Sequence, residues 1–166
     1  MRTISALTLA IASLGVFAAD AGSIQQLSGN VTIVGADRST RKAGQTDKIQ
    51  SGDTIATDSR SEALIKMADE STVIVRQNTQ FQFTDFKFDQ RASDTSIFSV
   101  LRGTARMISG LIGKNSPSRV AVRAPTATIG IRGTDFEVSV VAEDSPGARA
   151  GVYNYVHDGA TNIQIA

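Results

Sequence analysis

Any chemistry in this chain has few groups to work with: 166 residues hold one histidine, no cysteine and no tryptophan. The histidine lies in Tyr155-Val156-His157-Asp158-Gly159. An imidazole beside a carboxylate has the makings of a general base held by an acid. Adjacent residues of a strand point to opposite faces, however, so Asp158 is badly placed to orient His157. The pair reads as a surface histidine at a hairpin turn. One imidazole and no thiolate supply no cluster that would hold zinc or iron. Gly110-Leu111-Ile112-Gly113-Lys114-Asn115-Ser116 has the flavour of a phosphate loop, but Ile108 stands where the first glycine is required and Asn115 where a Ser or Thr should follow the lysine. It reads as a loop tip. No Gly-x-Ser-x-Gly elbow exposes a serine nucleophile. The carboxylates Asp53, Asp58, Asp69, Glu70, Asp85, Asp89, Asp94 and Asp135 are scattered, and a glycosidase-like pair could be drawn from any such set. Asp69-Glu70 lacks the alternate spacing of a calcium loop. All are expected as solvated turn charges. The expectation is a non-enzymatic protein with no catalytic, cofactor-binding or metal site.

The segment Ala124 to Phe136 stands out for geometry instead. Pro125 fixes φ and holds Ala124 extended. Gly130 and Gly133 allow left-handed or closely approached backbone. Arg132 between them, with Asp135 nearby, predicts an ion pair bracing a tight turn, after which Phe136 drops into the core. Pro125, Gly130, Arg132, Gly133, Thr134 and Phe136 thus read as a strand–turn–strand corner that demands no ligand.

Extended elements must position these residues, because period-2 alternation and β-branched residues recur while helical periodicity does not. Val31–Val34, Thr54–Thr57, Ala63–Met67 and Thr72–Arg76 read as strands. Gln80 to Asp89 alternates most clearly, with Phe81, Phe83, Phe86 and Phe88 slipping register at Thr84-Asp85, the sign of a bulge. These phenylalanines are expected in the core. Ile97–Leu101, a turn at Arg102-Gly103 and Thr104–Ile108 follow. Segments Arg119–Arg123, Thr126–Ile131, Phe136–Val141, Val152–Val156 and Ile163–Ile165 complete the series, with a turn at Asp158-Gly159. Short strands at such spacing predict an all-β fold, a twisted solenoid-like or sandwich-like domain of many short strands. The terminal strand is expected to pair back into the sheet, since a free edge invites aggregation.

The start of the chain is different. A short basic opening around Arg2, an apolar run from Ala6 to Ala18 and small residues thereafter form a secretory signal peptide over residues 1–21, cut after Ala18 or Ala21. The run is short of the ~20 apolar residues that span a bilayer, and no later stretch approaches that length. The domain is therefore expected over residues 22–166, in the periplasm or secreted, with no membrane span after cleavage. Net charge is +1, and losing residues 1–21 removes one base, Arg2, and one acid, Asp20, leaving it unchanged. Interspersed charge of this kind excludes nucleic-acid binding through phosphate neutralisation.

In order along the chain, Gly29-x-Val31, Gly52-Asp53-Thr54-Ile55-x-Thr57, Ser61-x-Ala63, Leu64 to Val75 around Asp69, Leu101-x-Gly103, Val122-x-Ala124-Pro125-Thr126-Ala127, Ile129-x-Ile131-Arg132-Gly133-Thr134-x-Phe136 and Val156-x-Asp158-Gly159 resemble the FecR domain family. The stretch from Ala-Pro-Thr-Ala to Arg-Gly-Thr-x-Phe is the specific part. The resemblance implies a twisted β domain that works by binding an envelope or membrane protein within an envelope signalling system. The family's regulators carry a cytoplasmic anti-sigma segment and a membrane helix ahead of this domain; here a signal peptide is expected in that place. A carbohydrate- or surface-polymer-binding module is the alternative reading, for which Tyr153 and Tyr155 are the expected exposed aromatics.

Overall fold

The computed structural model describes residues 20–144 and 147–165. The predicted signal peptide, residues 1–21, lies outside the described residues except for Asp20 and Ala21, which stand in a strand. In chain order the elements are β1 (Asp20–Ser28), β2 (Val31–Val34), β3 (Thr40–Lys42), β4 (Lys48–Gln50), β5 (Thr54–Thr57), β6 (Glu62–Met67), β7 (Thr72–Val75), β8 (Gln80–Lys87), β9 (Thr95–Ile108), α1 (Leu111–Asn115), a single 3-10 turn at Pro117–Arg119, β10 (Val120–Ala124), β11 (Ala127–Val141) and β12 (Gly151–Ile165). The all-β expectation holds. All twelve strands join one curled sheet that forms a half-barrel. Its one parallel pairing sets β10 beside the start of β9, and α1 carries the chain back to make it.

Where the sequence predicts three breaks, the chain bends without breaking. Gly103, Gly133 and Gly159 take φ of +80°, +57° and +81°. Each lets a long strand bulge and change direction, so β9, β11 and β12 run on through the expected turns. The bend in β12 is sharp. Asn154 Nδ2 donates to Thr161 Oγ1 at 2.7 Å, although seven residues of straight strand would separate them by about 23 Å. Each long strand therefore belongs to two arms. The first half of β9 pairs with β8 and β10, and its second half with β7 and β11. One arm ends on β4 and the other on β3, and β12 closes both.

The core fills the trough between the arms. Ala63, Ile65 and Met67 share a buried face, as their alternation predicts. Phe81, Phe83 and Phe98 form a triad with ring centroids 5.1 to 5.7 Å apart, in edge-on and tilted arrangements. The predicted bulge at Thr84-Asp85 is present as a register shift against β9, and it keeps Phe86 buried.

Two expectations are corrected. Asp53, Asp69 and Asp94 are buried, not solvated. Asp69 accepts from the backbone N–H of Ser71 at 3.1 Å and from its hydroxyl at 2.6 Å, while the Asp69 carbonyl accepts from Leu111 N–H at 2.7 Å. This network turns the expected loop tip at Leu111–Asn115 into a short helix lying on the β6–β7 turn. Gly110 is required there, because a Cβ would stand 2.2 Å from the Asp69 carbonyl oxygen.

Candidate interaction surface

Pro125 and Thr126 form the two-residue connection of the β10–β11 hairpin, with Ala124 opposite Ala127. Gly130 makes room for the side chain of Asn162, whose Oδ1 lies 2.4 Å from where a Cβ would be. Thr134 is the knot of the bend. Its hydroxyl donates to the Ala160 carbonyl at 2.9 Å and accepts from Arg132 N–H at 3.0 Å, and its own N–H donates to Ser109 Oγ at 2.7 Å. Those bonds tie β11 to β12 on one side and to the end of β9 on the other. Phe136 is buried beneath them.

Arg132 does not form the predicted pair with Asp135; its side chain is exposed. Asp135 is bound instead by Arg106 of β9, whose Nε and Nη2 donate to the two carboxylate oxygens at 2.8 and 2.6 Å. The reason is the bulge: it turns Asp135 onto the convex face, where β9 is its lateral neighbour. Hydrogen bonding from Arg106 holds the Asp135 carboxyl below the usual range, partly offset by desolvation and reinforced by the charges of Arg106 and His157. The same bond raises the Arg106 guanidinium.

That convex face carries an ordered array of functional groups. Leu64, Ile74, Arg106, Glu137 and Tyr155 lie opposite one another in a single row across β6, β7, β9, β11 and β12. A neighbouring row contains Lys66, Thr72, Ile108, Asp135 and Asp158. Arg76 bridges Glu62 at 2.9 Å and Glu137 at 3.4 Å, above a shallow groove of about 560 Å³ that Arg60 and Asn78 also line. Half-exposed bridges of this sort add little to stability; they fix charges in register on a rigid surface. Ile108, Tyr153 and Tyr155 add exposed apolar area to the face. His157 lies edge-on to Tyr155, with ring centroids 4.7 Å apart.

The cavity against Asp69, Met107, Ile131 and Phe136 measures about 20 Å³, room for one water. Among the described residues no group of three or more His, Cys, Asp or Glu side chains is placed to hold a metal ion, and no helix is long and apolar enough to cross a membrane.

A family model described as "FecR protein" matches residues 53–154. The chain belongs to the FecR family. The match runs from the turn before β5 into the start of β12, so it includes the corner motif and most of the convex face, while β1 to β4 and β12 from Tyr155 onward lie outside it. Membership of the family points to a signalling or sensing module. Among solved structures it is similar to a "Cell surface anchoring domain", 25% identical, with 40% of this chain and 88% of that chain covered and a TM-score of 0.39. Two crystal structures of a protein described as an anti-sigma factor from Parabacteroides distasonis are 14% identical, with TM-scores of 0.45 and 0.44; 68% of this chain is covered, and the alignment spans 59% of theirs. No curated protein matches the sequence.

Proposed function

We propose that this FecR domain is an exported, non-enzymatic module of the periplasm that serves envelope signalling by binding an envelope or membrane protein through its convex face. The observation that carries the reading is the family match over residues 53–154, which spans the strands presenting the Arg76–Glu62–Glu137 and Arg106–Asp135 pairs. A stiff sheet with charges locked in rows suits recognition of a complementary surface, because little side-chain entropy remains to be lost on binding.

Export rests on the basic, apolar and small-residue pattern of residues 1–21. Of the two cuts, the one after Ala18 agrees with the fold. Ala21 is fully buried in β1 and its carbonyl accepts from Ala68 N–H at 2.8 Å. A cut after Ala21 would remove that residue and the Asp20–Gln50 pairing. The processed protein is expected in the periplasmic fraction with Ala19 at its N-terminus, as read by intact mass.

The binding claim is tested by in-cell photo-cross-linking with the probe at Tyr155 on the convex face and at Gln45 far from it. An adduct from position 155 alone, lost on Arg76→Glu, is the expected result. Adducts from both positions, or from neither under any growth condition, would refute it. The exposed pair Tyr153 and Tyr155 favours one alternative, binding of a carbohydrate or surface polymer. Retention on a glycan array that Tyr155→Ala abolishes would establish that reading in its place.

A further inference from the structure

We propose that β12 is a self-recognition edge, and that two copies of this FecR domain associate by pairing their β12 strands antiparallel about a two-fold axis. Among the described residues the curled sheet has three free edges. Two are short and defended: β3 is Thr40-Arg41-Lys42, fully exposed, and β4 is Lys48-Ile49-Gln50. Short strands and lysines are the usual guards against edge pairing. The third, β12, is fifteen residues long and pairs only with β11 among the described residues. It has no Lys, Arg or Pro, and it exposes Tyr153, Tyr155, Ile163 and Ile165 at 47%, 65%, 54% and 86%. Ile163 and Ile165 stand opposite the buried Ile129 and Ala127, so they point to the core side and overhang its rim uncovered.

The strand is complementary to itself. The bulge near Gly159 puts its two halves out of phase: Val152, Asn154 and Val156 face the core in the first half, Thr161, Ile163 and Ile165 in the second. An antiparallel pairing that sets residue 157 beside 158 of the other copy keeps like faces together. It brings Val152 opposite Ile163, and Asn154 opposite Thr161, in the two symmetric places. It also sets each His157 against the other copy's Asp158, the only two charged or titratable side chains on the strand apart from its tyrosines. The bends of the two strands coincide, as those of β11 and β12 already do.

Fifteen residues a side, against the 20–30 that bury ~800 Å² per partner in a standard interface, amount to about 1,000 Å² in total. That is the lower limit for a specific complex, so the dimer is expected to dissociate in the micromolar range.

Sedimentation equilibrium of the processed chain from about 1 to about 200 µM is expected to show a reversible monomer–dimer transition. Ile163→Lys, at an exposed position, should weaken it at least ~10-fold while leaving the thermal transition in place. The register is read from disulfides, since the natural chain has no cysteine. Tyr153→Cys mixed with Asn162→Cys should give a mixed dimer on mild oxidation, and Tyr153→Cys mixed with Gln164→Cys far less. A chain monomeric throughout the range overturns the proposal. So does a dimer indifferent to Ile163→Lys, or one that links positions 153 and 164 in preference.

Discussion

The three bends are glycine-dependent for two separable reasons, and replacing each glycine by alanine separates them. At Gly133 the backbone has φ of +57° and nothing lies within 4 Å of a built Cβ, so Gly133→Ala incurs only the cost of an L-residue in the left-handed region, about 1–2 kcal/mol. For a domain of this size that lowers Tm by about 2–8 °C. At Gly103 the same conformational cost applies, but a Cβ would also stand 2.4 Å from Thr79 Oγ1 and 2.6 Å from both Asn78 O and Thr79 Cα. At Gly159 it would stand 2.2 Å from the Gly133 carbonyl oxygen and 3.0 Å from its carbon. Backbone atoms cannot step aside as a flexible side chain can. Overpacking adds ~1–3 kcal/mol, so Gly103→Ala and Gly159→Ala should each cost about 2–5 kcal/mol. Urea unfolding followed by far-UV circular dichroism gives all three values under one set of conditions. Gly133→Asn is a useful fourth variant and should lose less than Gly133→Ala, because Asn tolerates positive φ. Equal losses at the three glycines, or no loss at Gly133, would refute the account of the bends.

Thr134→Val keeps the shape of the side chain but strands the Arg132 N–H and the Ala160 carbonyl, and should cost ~1–3 kcal/mol in urea unfolding. Phe83→Ala opens the centre of the aromatic triad and should cost about 3–5 kcal/mol by the same measurement. The Arg106–Asp135 pair predicts an acid-labile contribution to stability. Asp135 has a folded pKa below its unfolded value near ~4, so its contribution is complete above pH ~4 and fades as pH falls through the folded value. The gap in urea midpoint between the natural chain and Asp135→Asn should therefore be open at neutral pH and close in strong acid; a gap independent of pH would disprove the assignment.

Local pattern carried much of the fold. The alternation of Ala63, Ile65 and Met67 and of the phenylalanines from Phe81 is read directly, since side-chain direction in a strand depends only on parity. The slip at Thr84-Asp85 was legible for the same reason. Three strands were not. β1 opens with Asp-Ala-Gly-Ser, poor strand formers beside a signal-like segment, and it forms because β4 and β6 flank it. β3 and β4 are three residues each, too short to show a period.

The candidate surface divides along the same line. Exposure of Tyr153 and Tyr155, and the importance of Gly133 and Thr134, follow from residue type and spacing. That Asp135 takes Arg106 as its partner does not, because those residues meet only after β9 and β11 pair 29 positions apart. A glycine in sequence announces that the backbone is free to change direction; whether it ends a strand or bends it depends on what lies alongside. Here the Thr79 hydroxyl beside Gly103 accepts from Thr104 N–H, and the Thr134 hydroxyl beside Gly159 donates to the Ala160 carbonyl, so the strands run on through the bends. Composition, parity and the corner motif thus determined an all-β chain and its core residues. The half-barrel, its charged convex face and its open edge were decided by pairings between distant strands, which no local pattern can encode.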